Sequence, residues 1–136
     1  MMHNTKICVV VRDDLETWQK LNVTAFMAAG VAADNPESIG QPYEDGSKNP
    51  YLPIFGQPVF VFMATAEHLQ RTRARALSRQ VPIAMYTKDM FSTGNDDDNR
   101  AVVKAVAAED LDIVGLAFRA ERKTFDKIVS GLKLHT

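Results

Sequence analysis

The sequence predicts an α/β layered domain with a largely parallel sheet. Three observations carry this: short β-branched apolar runs, helix-length stretches between them, and turn residues at the junctions. The chain has 136 residues, the length of one domain, so a single domain over 1–136 is expected. Its 46% hydrophobic fraction fills such a core, and 24% charged residues is the usual surface load.

Lys6 to Val11 reads as the first strand, continuously apolar as strands buried on both faces are. Arg12-Asp13-Asp14 ends it. A helix is predicted from about Glu16 to about Ala33, with Trp18, Leu21, Ala25, Ala28 and Ala32 at helical spacing. Val23, Phe26, Met27 and Gly30 are apolar on its other faces. A helix apolar nearly all round is buried or shared with another subunit, and small residues allow close approach. A homodimer through this helix is therefore an expected partnership.

Residues 34–57 break the pattern with repeated Pro, Gly and Asn turns. A loop this long either covers a sheet edge or serves as a ligand lid. Tyr43, Tyr51, Ile54 and Phe55 give it anchors to the body. Pro58 to Met63 is the second strand, and Thr65 caps a helix from Ala66 to about Arg79. Val81 to Tyr86 is the third strand, with Pro82 tolerated near its start. Thr87 to Gly94 is a polar loop. Asn95 opens an acidic-fronted helix through about Ala108, favoured by the helix dipole. Leu111 to Phe118 is the fourth strand. Arg122 to Gly131 is the last helix, with Phe125, Ile128, Val129 and Leu132 on one face and Gly131 as its stop.

Sixteen basic and seventeen acidic residues leave a net charge of -1. That disfavours a dedicated nucleic-acid or membrane-surface binder. Arg71, Arg75 and Arg79 form one basic stripe, read as a solvated face with RNA as the untested alternative. No run approaches the roughly 18 apolar residues of a membrane span, so no membrane partner is expected. Met1 to Lys6 offers no signal-peptide core. The single cysteine, Cys8, excludes an intrachain disulfide and reads as a small buried hydrophobe. A cytoplasmic, reducing setting follows as the expectation.

The phosphate-binding and nucleophile-elbow glycine motifs are missing. His3, His68 and His135 are scattered, and Asp96-Asp97-Asp98 lacks the alternation of a calcium loop. No metal and no cofactor are expected. Ligands in such sheets bind outside the carboxyl ends of strands, so two loops stand out. In the first, Asp13, Asp14 and Lys20 bracket the entry to the first helix. In the second, Lys88 and Asp89 follow the third strand directly, with Ser92 and Thr93 close behind. A lysine and an aspartate meeting at strand ends orient water and stabilise a developing oxyanion.

The opening Lys6-Ile7-Cys8-Val9-Val10-Val11-Arg12-Asp13-Asp14-Leu15 resembles the first strand and loop of type II peptidyl-tRNA hydrolases. So do Asp112-Ile113-Val114-Gly115-Leu116-Ala117 and the ending from Asp126 to Leu134. Thr87-Lys88-Asp89-Met90-Phe91-Ser92-Thr93-Gly94-Asn95 and Asp98-Asn99-Arg100 look closer to a bacterial branch of that fold, the domain of unknown function 2000 family. The resemblance implies a three-layer α/β/α sandwich with a mixed, mostly parallel four-stranded sheet. It implies Lys20 as a charge stabiliser, Asp89 as base or water orienter and Thr93 as a positioning group. Asp14, Lys88 and Ser92 are the accompanying candidate binding residues. The chain departs from the hydrolases at several places, the acidic start of the helix after Asn95 among them. Their Gly-Lys-Gly-Lys approach is Thr17-Trp18-Gln19-Lys20 here, their histidine on the first helix is absent, and their loop arginine is Ser92. The expected function is accordingly a diverged hydrolase acting on a small acyl or ester substrate. The alternative is a non-enzymatic ligand-binding or dimeric assembly module.

Overall fold

The computed structural model describes residues 4–136. His3 and the start of the N-terminal segment lie outside them. The described residues build seven strands: β1 (Thr5–Arg12), β2 (Tyr43–Glu44), β3 (Pro50–Tyr51), β4 (Val59–Ala64), β5 (Ala84–Thr87), β6 (Ile113–Glu121) and β7 (Lys133–Leu134). Its helices are α1 (Thr17–Asp34), α2 (Ala66–Ser78), α3 (Asp96–Lys104) and α4 (Arg122–Ile128). Five strands form the main sheet in the order β5-β6-β1-β4-β7; β2 and β3 pair separately.

Three layers result. On one face of the sheet, α1 buries Val23, Met27 and Val31 against Ile7, Val9, Val11 and Val114. On the other, α2 and α4 bury Leu69, Ala76, Phe125 and Ile128 against Cys8, Val10, Leu116 and Phe118. The alternation of β1 splits its apolar run between the two cores, which is why that run has no polar face. Cys8 is wholly buried, as expected, and burial pushes its thiol pKa well up.

The expected four-stranded, mostly parallel sheet is corrected. Among the described residues only β1 and β4 pair in parallel in this sheet; β1 with β6, β5 with β6, and β4 with β7 are antiparallel. The cause lies between β5 and β6. A parallel return needs a helix that runs back along the sheet. The acidic-fronted helix stops at Lys104, not Ala108, so at 1.5 Å per residue it covers only about 14 Å. It stays at the carboxyl end of β5. The Lys88 N–H donates to the Asp112 carbonyl at 2.9 Å, so β6 starts beside the point where β5 ends and must run the other way.

The third strand also begins late, at Ala84. The Val81 N–H turns back to the Ala76 carbonyl at 3.0 Å across Gln80, whose φ is 57°. Pro82 then has no N–H to give a ladder. At the other end of the chain, α4 stops at Ile128, short of the expected Gly131, whose φ of 85° instead turns the chain into β7.

Residues 34–57 form an ordered excursion. The Asp45 carboxylate accepts from the Ser47 and Asn49 backbone N–H groups, from the Asn49 side chain at 3.0 Å and from the Tyr51 hydroxyl at 2.8 Å. Those bonds close the β2–β3 turn. Gly40 and Gly56 carry the base of the excursion through bonds to Ile54 and Ser38, and Phe55 reaches the core under α1. Among the described residues, no helix is long and apolar enough to cross a membrane.

Candidate functional site

The parallel pair β1 and β4, and β5 through its shared neighbour β6, all point their carboxyl ends to one edge of the sheet. The first part of α1, the 3-10 turn Lys88–Ser92 and the start of α3 gather there. Between them lies a cleft of about 330 Å³. That volume suits a small molecule.

Its walls are aromatic. Trp18 meets Phe91 edge to face with ring centres 5.9 Å apart. Phe91 meets Tyr86 at 5.1 Å, and Tyr86 meets Phe26 at 5.8 Å. Tyr86 is buried, which raises its phenol pKa. Trp18 and Phe26 are 59% and 57% exposed, large values for rings of this size. Trp18, Asn22 and Phe26 stand at i, i+4 and i+8 and so share one flank of α1.

The polar lining is uncharged except at one corner. The Thr93 hydroxyl bonds to the Met90 carbonyl at 2.9 Å and to the Asn99 carboxamide. Asn22 lies between the two exposed rings, and among the described residues its side chain has no hydrogen-bond partner. Asp96, at the α3 start, is the single charged residue in the lining.

The six residues singled out in the sequence go to different places. Thr93 lines the cleft. Lys20 does not: two positions before Asn22, it projects about 200° away round the helix. Its Nζ lies 3.0 Å from Nε2 of His135, beside β7, and the same flank carries the Thr24 hydroxyl donating to the Lys20 carbonyl at 2.7 Å. Asp89, Lys88 and Ser92 have exposed side chains in the turn after β5. No hydrogen bond or ion pair among the described residues joins Lys20 to Asp89.

Asp14 serves a different centre. It accepts from Arg12 Nε at 2.7 Å, while Arg12 Nη1 donates to Asp112 at 2.5 Å and to the Ile113 carbonyl at 3.2 Å. Burial alone pulls the guanidinium pKa down; hydrogen bonds to the two carboxylates, with their charge, more than offset this and hold it above its ordinary value. This cluster ties the end of β1 to the start of β6.

The remaining sequence candidates are also placed. Arg75 of the basic stripe donates to the Ser130 carbonyl at 2.8 Å. His68 lies against the same carbonyl at 3.3 Å, and His135 is remote from it. Among the described residues, no group of three His, Cys, Asp or Glu side chains is arranged to hold a metal. The outer face of α1 (Ala25, Ala28, Ala29, Ala32) floors a second, apolar groove of about 590 Å³ beside Leu52, which is 85% exposed.

Sequence reasoning missed Trp18, Asn22, Phe26, Phe91 and Asn99 as a group. The available signal was the i, i+4, i+8 spacing of the first three, which places a tryptophan, an amide and a phenylalanine in one line.

Fold and cleft together define a small α/β domain with a ligand-sized recess at the carboxyl edge of its sheet. The chain belongs to the family described as Protein of unknown function (DUF2000), whose model matches residues 5–136. A solved structure, that of the protein of unknown function Atu0240 from Agrobacterium tumefaciens strain C58, is 45% identical. It matches with a TM-score of 0.97 over 99% of this chain and 100% of that one. No curated protein matches. Membership of the domain of unknown function 2000 family, expected from the sequence, is thereby established; both matches are described as of unknown function, and neither carries the peptidyl-tRNA hydrolase resemblance.

Proposed function

We propose that the chain is a small-molecule-binding domain whose ligand occupies the cleft between α1, the turn after β5 and the start of α3. The observation that carries this reading is the line Trp18-Asn22-Phe26, its two rings more than half exposed, which shares with Phe91 and Thr93 the lining of a recess of about 330 Å³. Exposed rings around a recess cost solvation unless something covers them. Trp18 is the only tryptophan, so its fluorescence reports the cleft directly. A fragment library screened against the purified protein should yield compounds that shift Trp18 emission and lose that effect in Phe91→Ala. A library in which no compound moves Trp18 emission or the amide signals of Gly94 and Asn99 sinks the reading.

A hydrolase acting on a small acyl or ester substrate is the second reading. Thr93 favours it, as a hydroxyl set on the cleft wall. Such a reaction needs a base within reach of the substrate, and Lys20 and Asp89 are the candidates from the sequence. Ester turnover that falls at least a hundredfold in both Lys20→Ala and Asp89→Asn supports it; turnover unchanged in both removes their roles. Self-association through α1 is a separate proposal, resting on the alanine floor and the projecting Leu52. Sedimentation showing only monomer at micromolar concentration removes it.

A further inference from the structure

Three features of the cleft restrict what it can hold. The first is charge. Among the described residues no lysine, arginine or histidine lines it, and its charged corner is Asp96, followed by Asp97 and Asp98. Arg100, the nearby cation, already donates to Asp96 at 2.6 Å and to Asp97 at 2.7 Å. A phosphate or carboxylate placed there would meet an acid whose neighbouring cation, Arg100, is already engaged.

The second is shape. Trp18 and Phe26 project from α1 on either side of Asn22, and Phe91 and Tyr86 touch them edge to face, so the four rings form one continuous wall of the cleft. A flat ligand lies with one face against such a wall.

The third is the polar edge. A carboxamide shows a donor beside an acceptor in one plane. Asn22 presents both without a partner among the described residues, and Asn99, held by Thr93, stands across the cleft. A ligand edge with an acceptor beside a donor satisfies Asn22 in full, the pairing that asparagine makes with an adenine edge.

We infer that the ligand is an uncharged planar ring whose edge carries an acceptor beside a donor, as ring carboxamides and free nucleobases do, and that it enters without phosphate or carboxylate. This rests on the cleft being the binding site, as proposed above.

Four probes of similar size test it: nicotinamide, adenine, nicotinate and 3-methylpyridine. Binding is read from amide and side-chain shifts of Asn22, Gly94 and Asn99 in the intact protein. Nicotinamide or adenine should bind at least tenfold more tightly than nicotinate and 3-methylpyridine, and whichever of the two is tighter names the source. Asn22→Leu should weaken that probe by roughly tenfold, the worth of one lost hydrogen-bond pair, and leave 3-methylpyridine unchanged. Nicotinate binding as well as nicotinamide overturns the charge rule. Equal binding of 3-methylpyridine overturns recognition of the edge. Silence from all four overturns the ligand class while leaving the cleft reading to the broader library, whose failure would remove both. Trp18→Leu provides a second variant: it should weaken all bound probes, and an unchanged affinity places them outside the cleft.

Discussion

The two flanks of α1 make opposite uses of similar raw material. On one, Lys20 and Thr24 have their polar groups engaged, by His135 at 3.0 Å and by the Lys20 carbonyl at 2.7 Å. On the other, Asn22 has no partner among the described residues, and Trp18 and Phe26 stand more than half exposed. Between the flanks, Val23, Met27 and Val31 hold both to the same sheet. A closed flank needs nothing further. An open flank with rings and an unpaired amide has binding capacity that the fold itself does not use. The lesson is that the polar residue to suspect is the one the fold leaves unsatisfied, and here that is Asn22 more than Lys20.

The largest effect should come from disturbing what both flanks stand on. A Cβ at Gly115 would sit 2.7 Å from Val23 Cγ1, 2.9 Å from Met27 Cε and 3.2 Å from the Val10 carbonyl oxygen. Gly115→Val therefore forces α1 off the sheet, and overpacking of this kind should cost about 3 kcal/mol. Urea denaturation measures it. Gly46→Ala, with nothing within 4 Å, is the matched control and should change stability little. A Gly115→Val protein as stable as the parent would show that α1 is not seated as tightly as the geometry says.

How far the sequence shows this arrangement depends on how local each feature is. The β-branched run at Ile7 to Val11 and the Thr65 cap, whose hydroxyl accepts the His68 N–H at 3.2 Å, are local and were legible. The buried line of α1 was not. With Leu21, Ala25 and Phe26 as apolar as Val23 and Met27, periodicity cannot choose a face, and the choice falls to Gly115 on a strand nearly ninety residues away. Strands β2, β3 and β7 are pairs of residues held by partners such as Asp45 and Phe62, so no run announces them. The direction of β6 hung on where α3 stops, and Val106 prolongs the helical pattern past the true end. The cleft joins three separate segments through neutral side chains, which carry no motif.

The next effect separates the flanks. Asn22→Leu should change stability by under about 0.5 kcal/mol, as partly exposed positions do. Lys20→Gln should cost under about 1 kcal/mol, since a partly exposed polar bond is lost. In titrations of a cleft probe, only the first should lose affinity. If Lys20→Gln loses as much, the closed flank is part of the site and the contrast drawn here fails.

Smaller again is the effect on the excursion that lies along the outer face of α1. Asp45 closes its turn, and the Asn49 side chain first, then the Asn49 N–H and the Tyr51 hydroxyl, hold its carboxyl down to a pKa of about 2. A carboxylate depressed in the folded state contributes its stability above the ordinary value of 3.8 and loses it as the pH falls through about 2. The β2–β3 turn should therefore loosen between about pH 4 and pH 2, while the ring contacts of Trp18 with Phe91 and of Phe26 with Tyr86, which involve no carboxylate, keep their signals. Side-chain resonances of Asn49 and of the Trp18 indole, followed through the same acid titration, give both answers. Simultaneous loss of the two sets would mean that the excursion and the open flank are one cooperative unit. Loss at Asn49 alone would show that the cleft is built by the sheet and α1 without help from the loop that runs beside them.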